Sequence, residues 1–254
     1  MSRLHGSQVN VQWSVNADLI NLEKEILKSY PDWIGGKVKF YSPIKKYNFK
    51  EFAGGSFIKG RFVDEPSFWE DLGKACPEDI RDGSFWPIKG ANWDALAVLT
   101  KTNGEKVLLL FEAKAHLGEL IHRKDMNDWC ETSRKIILRS LKETVGKYSD
   151  KQADDWLSAY QFSNRIAYAQ HLNDCNIETC VIYLLYNNDC SFKDKAISSD
   201  KNRNWQSKLD KQYELVGVSK DSISSFYHEI ELEAPTKEQL RDSGIDIEIT
   251  AYKY

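Results

Sequence analysis

The chain has 254 residues, which is enough for one substantial domain. Its hydrophobic content of 41%, with 12% aromatic residues, supplies a packed core and excludes a mainly disordered protein. The formal net charge of -3 excludes a globally basic nucleic-acid-binding protein, so any contact with nucleic acid must come from a local patch.

The cysteines indicate a reducing compartment. They are Cys76, Cys130, Cys175, Cys180 and Cys190, and they form neither a CxxC pair nor a zinc-ligand spacing. An odd number without such spacing is typical of free thiols. The first residues contain no apolar signal core, and no run approaches the roughly 18 apolar residues of a membrane span. We therefore expect a soluble, cytoplasmic protein.

The first elements are predicted from apolar spacing. Leucines and isoleucines recur at helical spacing over 17–29 and predict a helix. The stretch 36–66 is rich in glycine and aromatic residues, and it contains the strand-like pieces KVKFY and SFIKGRF. Residues 66–76 predict a short helix that is opened by Pro66.

The later elements alternate between strands and helices. Two strands, two helices, a buried strand, a helix and a final strand are predicted at 93–100, 106–115, 124–147, 153–172, 180–186, 205–216 and 226–233. This order predicts an α/β fold with a mixed β-sheet flanked by helices.

The turn Thr102-Asn103-Gly104 sets the register of the first two of these strands. A three-residue hairpin loop ends on a left-handed residue, which glycine accepts, and it places Asp94 directly opposite Glu112. A two-residue Asn-Gly turn would instead pair Asp94 with Ala113 and put the two carboxylates on opposite faces. The three-residue register is favoured, and the alternative stays open.

In the favoured register, the carboxylates of Asp94 and Glu112 lie about 5 Å apart and repel each other unless something neutralises them. Magnesium or manganese would do so, because these ions prefer oxygen ligands. Lys114 projects to the same face as Glu112, where it can orient a metal-bound water and offset phosphate charge. Removing one carboxylate should then relieve repulsion and leave a folded protein. The alternative is that Glu112 and Lys114 form a plain ion pair on one face of the strand, since the spacing of the three residues also occurs by chance in many proteins.

These residues resemble a known signature. WDALAVL followed by LLLFEAKAH is similar to the motif of the PD-(D/E)XK nuclease superfamily, with Asp94 in the second core strand and Glu112 and Lys114 as the ExK of the third. Trp93 stands where the motif often has proline. The resemblance implies a metal-dependent nuclease that hydrolyses phosphodiester bonds, with DNA favoured over RNA and Mg²⁺ or Mn²⁺ as the cofactor.

The resemblance also implies an architecture and further site residues. A restriction-endonuclease-like core at about 84–190 would lie within a single domain that spans 1–254, with elaborations at 1–83 and 191–254. Related families often add an acidic residue from a helix that precedes the sheet, which makes Glu23 a candidate third metal ligand. A helical glutamine beside the ExK residues would be Gln161. Glu23 lies in the apolar arc of its helix, beside Leu19 and Ile26, and the favoured alternative is a glutamate at the edge of this arc whose carboxylate reaches solvent.

Two helices supply candidate nucleic-acid contacts. The 153–172 helix carries a broad polar face with Gln161 and Arg165, which suits stacking on bases and hydrogen bonding to phosphates. The preceding helix is locally basic, with Arg134 and Arg139 as its candidate phosphate contacts. Both faces could instead be ordinary solvated surfaces. His116 follows the ExK strand, where a turn is expected, so it is not assigned a catalytic role.

The expected function is therefore a metal-dependent nuclease whose partner is nucleic acid, with no membrane association, acting as a homo-oligomer or within a larger complex. Two alternatives keep the fold without the chemistry: a catalytically silent nucleic-acid-binding module and a protein-interaction module. A nucleotide hydrolase is disfavoured because the chain has no GxxxxGK loop to cradle phosphates.

Overall fold

The computed structural model of the protein describes residues 6–43, 66–87, 93–121, 129–189 and 204–244. Its strands are β1 (Lys37–Ser42), β2 (Ala95–Thr100), β3 (Lys106–Lys114), β4 (Thr179–Asn187) and β5 (Tyr227–Glu233). Its α-helices are α1 (Ser7–Asn16), α2 (Leu19–Leu27), α3 (Pro66–Leu72), α4 (Glu78–Arg81), α5 (Glu131–Tyr148), α6 (Ala153–Trp156), α7 (Tyr160–Asp174), α8 (Trp205–Val216), α9 (Lys220–Ile223) and α10 (Lys237–Asp242).

The strands form one mixed sheet, as the sequence predicts. Their spatial order is β1-β2-β3-β4-β5, with antiparallel pairing from β1 to β3 and parallel pairing from β3 to β5. A parallel connection needs a crossover, and α5, α6 and α7 provide it between β3 and β4. β1 and β5, from the two predicted elaborations, complete the sheet at its edges.

The β2–β3 hairpin has the predicted three-residue register. Ala95 pairs with Phe111, and Leu96 pairs with Leu110. The Lys101 amide donates to the Glu105 carbonyl at 2.8 Å and closes the loop. Gly104 has φ +87°, a left-handed value that glycine adopts without a Cβ clash. The two-residue alternative is therefore excluded.

Helices cover both faces of the sheet. The side chains of α1 and α2 pack with Phe111 and Ala113 on one face. Those of α5, α7 and α8 pack with Leu110 and Tyr183 on the other. Consecutive residues of β3 and β4 are buried because both faces are covered, which explains their nearly continuous apolar sequence. Burying one such side chain contributes roughly 1.5–3 kcal/mol relative to leaving it exposed.

Helix α1 is absent from the sequence prediction. Its central residues from Val9 to Val15 are all buried, including the polar Asn10 and Gln12. A helix that is enclosed on every side has no apolar stripe, so the period that reveals a surface helix does not appear in its sequence. The prediction of a helix at 17–29 is closer, because α2 occupies most of that range.

Two predicted helices differ from the observed ones in extent. The helix predicted at 124–147 begins at Glu131, and the residue before it, Cys130, is extended. The helix predicted at 153–172 is divided, because a 3₁₀ turn at Leu157–Ala159 separates α6 from α7. Spacing alone did not detect this break, because apolar residues continue through it.

Some predictions fall outside the described residues. These are the SFIKGRF strand at 56–62, the helix start at 124–128, the polar segment at 191–203, and Cys190. The four cysteines within the described ranges, Cys76, Cys130, Cys175 and Cys180, are free thiols. No helix in the described part of the chain combines the length and the apolarity needed to cross a membrane.

Candidate active site at the end of the hairpin

A polar cleft of about 300 Å³ opens where β2 begins and β3 ends. Asp94, Glu112 and Lys114 all line it, together with Gln161 from α7. Side chains two residues apart on a strand share a face, so Glu112 and Lys114 project together toward α7. The hairpin register brings Asp94 to the same end of the sheet.

Asp94 is tied to the backbone of the neighbouring strand. Its amide donates to the Phe111 carbonyl at 3.0 Å, and its Oδ2 accepts the Ala113 amide at 2.7 Å. The last backbone pair of the β2–β3 ladder is Ala95 with Phe111, so the carboxylate continues the ladder just past its end. Asp94 is therefore held in the cleft by the same strand that carries Glu112.

Glu112 is buried between two cations. Its Oε1 accepts a hydrogen bond from Lys114 Nζ, and its Oε2 accepts from Arg165 Nε at 2.9 Å and also from Arg165 Nη2. The three side chains have exposed fractions of only 3–5%. A buried charge is costly unless it is paired and hydrogen-bonded, and this arrangement satisfies both requirements.

Lys114 links the strand to α7. Its Nζ donates to Gln161 Oε1 at 2.9 Å as well as to Glu112. Gln161 therefore lies beside the ExK residues, which is the position that the family resemblance implies. An ammonium group has three N–H donors, and among the described residues two acceptors are found for it. The third donor can serve a ligand in the cleft.

The two cations control the charge state of Glu112. Burial by itself would raise the pKa of this carboxyl group, but Arg165 and then Lys114 outweigh burial and hold the pKa below its ordinary value. Glu112 is therefore ionised at neutral pH. Contrary to the expectation from the sequence, a divalent ion is not needed to neutralise this carboxylate, because two protein side chains already do so.

This lowered pKa predicts how stability changes with pH. A carboxyl group with a lower pKa in the folded state stabilises the fold fully above its unfolded-state pKa and loses that contribution as the pH falls through the folded value. Relative to a Glu112→Gln variant, the wild type should keep a constant advantage in free energy of unfolding above about pH 5 and lose it in more acid solution. Urea titrations over this range would measure the difference. An advantage that grows on acidification would mean that burial dominates and the pKa is raised.

The cleft also contains residues that the sequence analysis did not assign. His116 and Glu119 line it from the turn after β3, and His116 Nε2 lies 3.1 Å from Glu119 Oε1. Ser7 and Gln8 line it from the first turn of α1. The position of His116 just past the ExK strand was a usable signal. The α1 residues had none, because that helix has no detectable period.

Glu23 does not lie in this cleft. Its Oε1 accepts the Val38 amide at 2.9 Å, and Val38 pairs with Leu99 near the hairpin loop, at the end of β2 away from Asp94. Its place in the apolar arc of the helix is explained by this contact with β1. The candidate role of Glu23 as a third metal ligand is therefore withdrawn.

The polar face predicted on α7 is largely inside the protein. Asn164, Arg165 and Tyr168 are 3–4% exposed. Trp93 packs against both Arg165 and Tyr168. His171 stacks on Phe85 with ring centroids 3.8 Å apart. The prediction that Arg165 contacts nucleic acid is corrected: its guanidinium group is committed to Glu112. Only Gln161 from this face reaches the cleft.

The basic residues of α5 lie on the surface. Arg134 and Arg139 are exposed, and Arg139 donates to the Ser84 carbonyl. Two further lysines on the helix are engaged by acidic side chains: Lys135 by Glu131, and Lys147 by Asp174. None of the described α5 residues lines the cleft, so a nucleic acid that used this helix would extend beyond the carboxylates.

The donor set of the cleft suits magnesium or manganese. Mg²⁺ is usually bound through one or two carboxylates, with waters and substrate oxygens completing its shell. Asp94 and Glu112 supply the carboxylates, and the Ala113 carbonyl lies between Glu112 and Lys114 in sequence. Within the described ranges, no group of three or more His, Cys, Asp or Glu side chains is arranged to hold an ion. An ion bound through Asp94 and Glu112 would keep positions for other oxygen ligands.

The chain matches no protein-family model, no curated protein and no solved structure.

Proposed function

We propose that the protein is a metal-dependent nuclease that hydrolyses phosphodiester bonds at the cleft formed by Asp94, Glu112 and Lys114. One observation carries the proposal: two carboxylates and a lysine line one polar cleft at the end of the sheet where β2 begins and β3 ends. This combination matches the needs of the reaction, because a phosphodiester brings negative charge that a cation and a lysine can offset.

The residues have separate tasks in this proposal. Asp94 and Glu112 would hold Mg²⁺ or Mn²⁺, which when bound lowers the pKa of a coordinated water and stabilises charge on the phosphate. Lys114 Nζ is held by Glu112 and Gln161, so its remaining N–H is directed by two fixed contacts. That donor binds a phosphate oxygen or orients the attacking water. Gln161 keeps the lysine in place from α7.

The order of the elements supports the proposal. An antiparallel β1–β2–β3 unit is followed by helices and then by β4, which is parallel to β3. This is the order that the resemblance to the PD-(D/E)XK superfamily implies. We propose a restriction-endonuclease-like core on this basis, with DNA favoured over RNA as the substrate.

One observation favours a second candidate function. Both oxygens of Glu112 are engaged by cations of the protein itself, as they would be in a fold that keeps the ion cluster for stability only. A catalytically silent nucleic-acid-binding module would have this arrangement. The two candidates differ in one measurable property, since a silent module has no metal-dependent cleavage.

The deciding experiment incubates the purified protein with single-stranded DNA, double-stranded DNA and RNA, each with Mn²⁺, Mg²⁺ or EDTA. The proposed function predicts cleavage of at least one substrate with metal and none with EDTA. Binding without cleavage under every condition would support the silent module. Cleavage of RNA alone would keep the chemistry and correct the substrate.

The basic helix α5 gives a separate prediction about binding. If Arg134 and Arg139 contact phosphates, affinity for DNA should fall steeply with salt, because each contact releases bound counterions. An Arg134→Ala, Arg139→Ala double variant should make the slope of log affinity against log salt less steep by up to about 2. Fluorescence anisotropy at several salt concentrations would measure this slope.

The matched control is Lys237→Ala with Arg241→Ala on α10, which removes the same charge from an exposed helix elsewhere. It should leave the slope unchanged. Equal slopes for the α5 variant and the wild type would show that α5 is only a solvated surface.

A further inference from the structure

Arg165 is buried, and every nitrogen of its guanidinium group donates a hydrogen bond that holds the side chain in place. Nε and Nη2 donate to Glu112 Oε2, and Nη1 donates to Asn164 Oδ1. Arginine presents its donors in a planar fork, so contacts on several sides fix its orientation as well as its position. The carboxylate that the fork engages is therefore fixed too.

Trp93 completes this support. The Arg165 guanidinium carbon lies 4.4 Å from the centre of the Trp93 ring, a cation–π contact inside the protein. Trp93 is 2% exposed and directly precedes Asp94 in the chain. The segment that places the Asp94 carboxylate in the cleft thus also carries the Trp93 ring. That ring contacts Arg165, which in turn holds the Glu112 carboxylate.

The two oxygens of Glu112 consequently face different environments. Oε2 receives two N–H bonds from Arg165 and is turned toward buried α7. Oε1 contacts Lys114, whose ammonium group lines the cleft and has Gln161 as a second acceptor. Of the two oxygens, Oε1 is the one that can exchange its contact with the lysine for a contact with a ligand in the cleft.

We propose that Arg165 is a positioning residue that restricts Glu112 to binding a metal ion through Oε1 alone, and that this restriction makes the cleft prefer Mg²⁺ or Mn²⁺ to Ca²⁺. The inference rests on the proposed metal-dependent function. Calcium takes six to eight oxygen ligands and often binds a carboxylate through both oxygens, whereas Mg²⁺ forms a compact octahedral shell. A glutamate with one oxygen occupied suits the smaller ion.

The test measures binding of Mn²⁺ and of Ca²⁺ by calorimetry, in separate titrations of the wild type and of Arg165→Lys. The lysine keeps the charge but cannot form the planar fork, so Glu112 Oε2 is partly released. Altering a residue that orients a metal ligand typically changes metal affinity by 10–100-fold. We expect the ratio of Ca²⁺ affinity to Mn²⁺ affinity to rise about tenfold in Arg165→Lys.

Two further variants keep the test decisive. Trp93→Phe keeps an aromatic ring while weakening the support of Arg165, so it should move the ratio in the same direction by a smaller factor. Arg241→Lys makes the same substitution on the surface of α10 and should leave the ratio unchanged. Circular dichroism would establish that each variant is folded before its titration.

The outcomes separate this inference from the proposed function. A folded Arg165→Lys protein with the wild-type ratio would overturn the positioning role while leaving the metal-dependent function in place. A wild type without Asp94-dependent binding of Mn²⁺ would overturn both. A ratio that rises in Arg165→Lys and Trp93→Phe, but not in Arg241→Lys, would support the positioning role, because a purely structural ion pair has no reason to discriminate between two divalent ions.

Discussion

Asp94→Asn should abolish metal-dependent cleavage and weaken Mn²⁺ binding by at least about 100-fold, while leaving the hairpin intact. The amide oxygen of asparagine can still accept the Ala113 amide, so the end of the β2–β3 ladder is preserved. The negative charge that would hold the ion is lost. A residue that merely orients a metal ligand already changes affinity by 10–100-fold, and a direct ligand should have at least that effect.

Lys114→Met should separate binding from chemistry. The variant keeps both carboxylates and much of the side-chain volume, so Mn²⁺ should still bind. Loss of the donor that offsets phosphate charge should lower kcat by about 10²–10³-fold, the usual effect of removing one such group. Single-turnover cleavage together with calorimetry would measure the two quantities independently.

The control for both variants is Glu105→Gln, an exposed change at the other end of the same hairpin. It should leave cleavage and metal binding unchanged. The metal site would be refuted by an Asp94→Asn protein that cleaves at the wild-type rate. A Lys114→Met protein with full activity would remove the lysine from the mechanism but leave the ion site standing.

Glu112→Ala should have the largest effect on stability of the site variants considered. From the sequence, this change is expected to relieve repulsion between Asp94 and Glu112. The structure gives the opposite prediction, because Arg165 and Lys114 would both lose their buried counterion. Removing one partner from a buried ion pair typically costs 3–5 kcal/mol. We expect a loss of about that size in the free energy of unfolding, measured by urea denaturation at neutral pH.

The matched control is Glu131→Ala. Glu131 pairs with Lys135 on the surface of α5, where the side chains are 79% and 74% exposed. Exposed pairs contribute little because water and salt screen them, so this variant should unfold at nearly the wild-type urea concentration. Equal losses of unfolding free energy in Glu112→Ala and Glu131→Ala would show that burial does not strengthen the ion pairs of Glu112. A Glu112→Ala protein as stable as the wild type would instead support repulsion between the Asp94 and Glu112 carboxylates.

Cleavage tests on Glu112 variants must take this cost into account. A Glu112→Ala protein that is inactive and unfolded says nothing about catalysis. Glu112→Gln keeps the shape of the side chain, but its single carbonyl oxygen replaces only one of the two oxygens that accept from Lys114 and Arg165. Asp94 and Lys114 are therefore the more informative positions for catalysis, and Glu112 is the more informative position for stability.

The sequence by itself determined the hairpin and the face that its functional side chains share. Thr102-Asn103-Gly104 specified the register because a three-residue loop requires a left-handed residue at its end, which Gly104 provides. The period of two along a strand then placed Glu112 and Lys114 on one face, with Asp94 at the same end of the sheet. These are local rules, and they need no knowledge of distant contacts.

Only the tertiary structure decided what surrounds those side chains. Arg165 lies 53 positions from Glu112 along the chain. Its helix face is polar in sequence, and a polar face has the same pattern whether it contacts water or buried polar partners. Enclosure of α1 on all sides removed the period that would have revealed it, so the contribution of Gln8 to the cleft could not be predicted. Glu23 contacts the Val38 amide of β1 and does not line the cleft, because helical spacing does not show which part of the sheet a helix residue will meet. In each case the deciding factor is a contact between distant segments, and such contacts leave no periodic signal in the sequence.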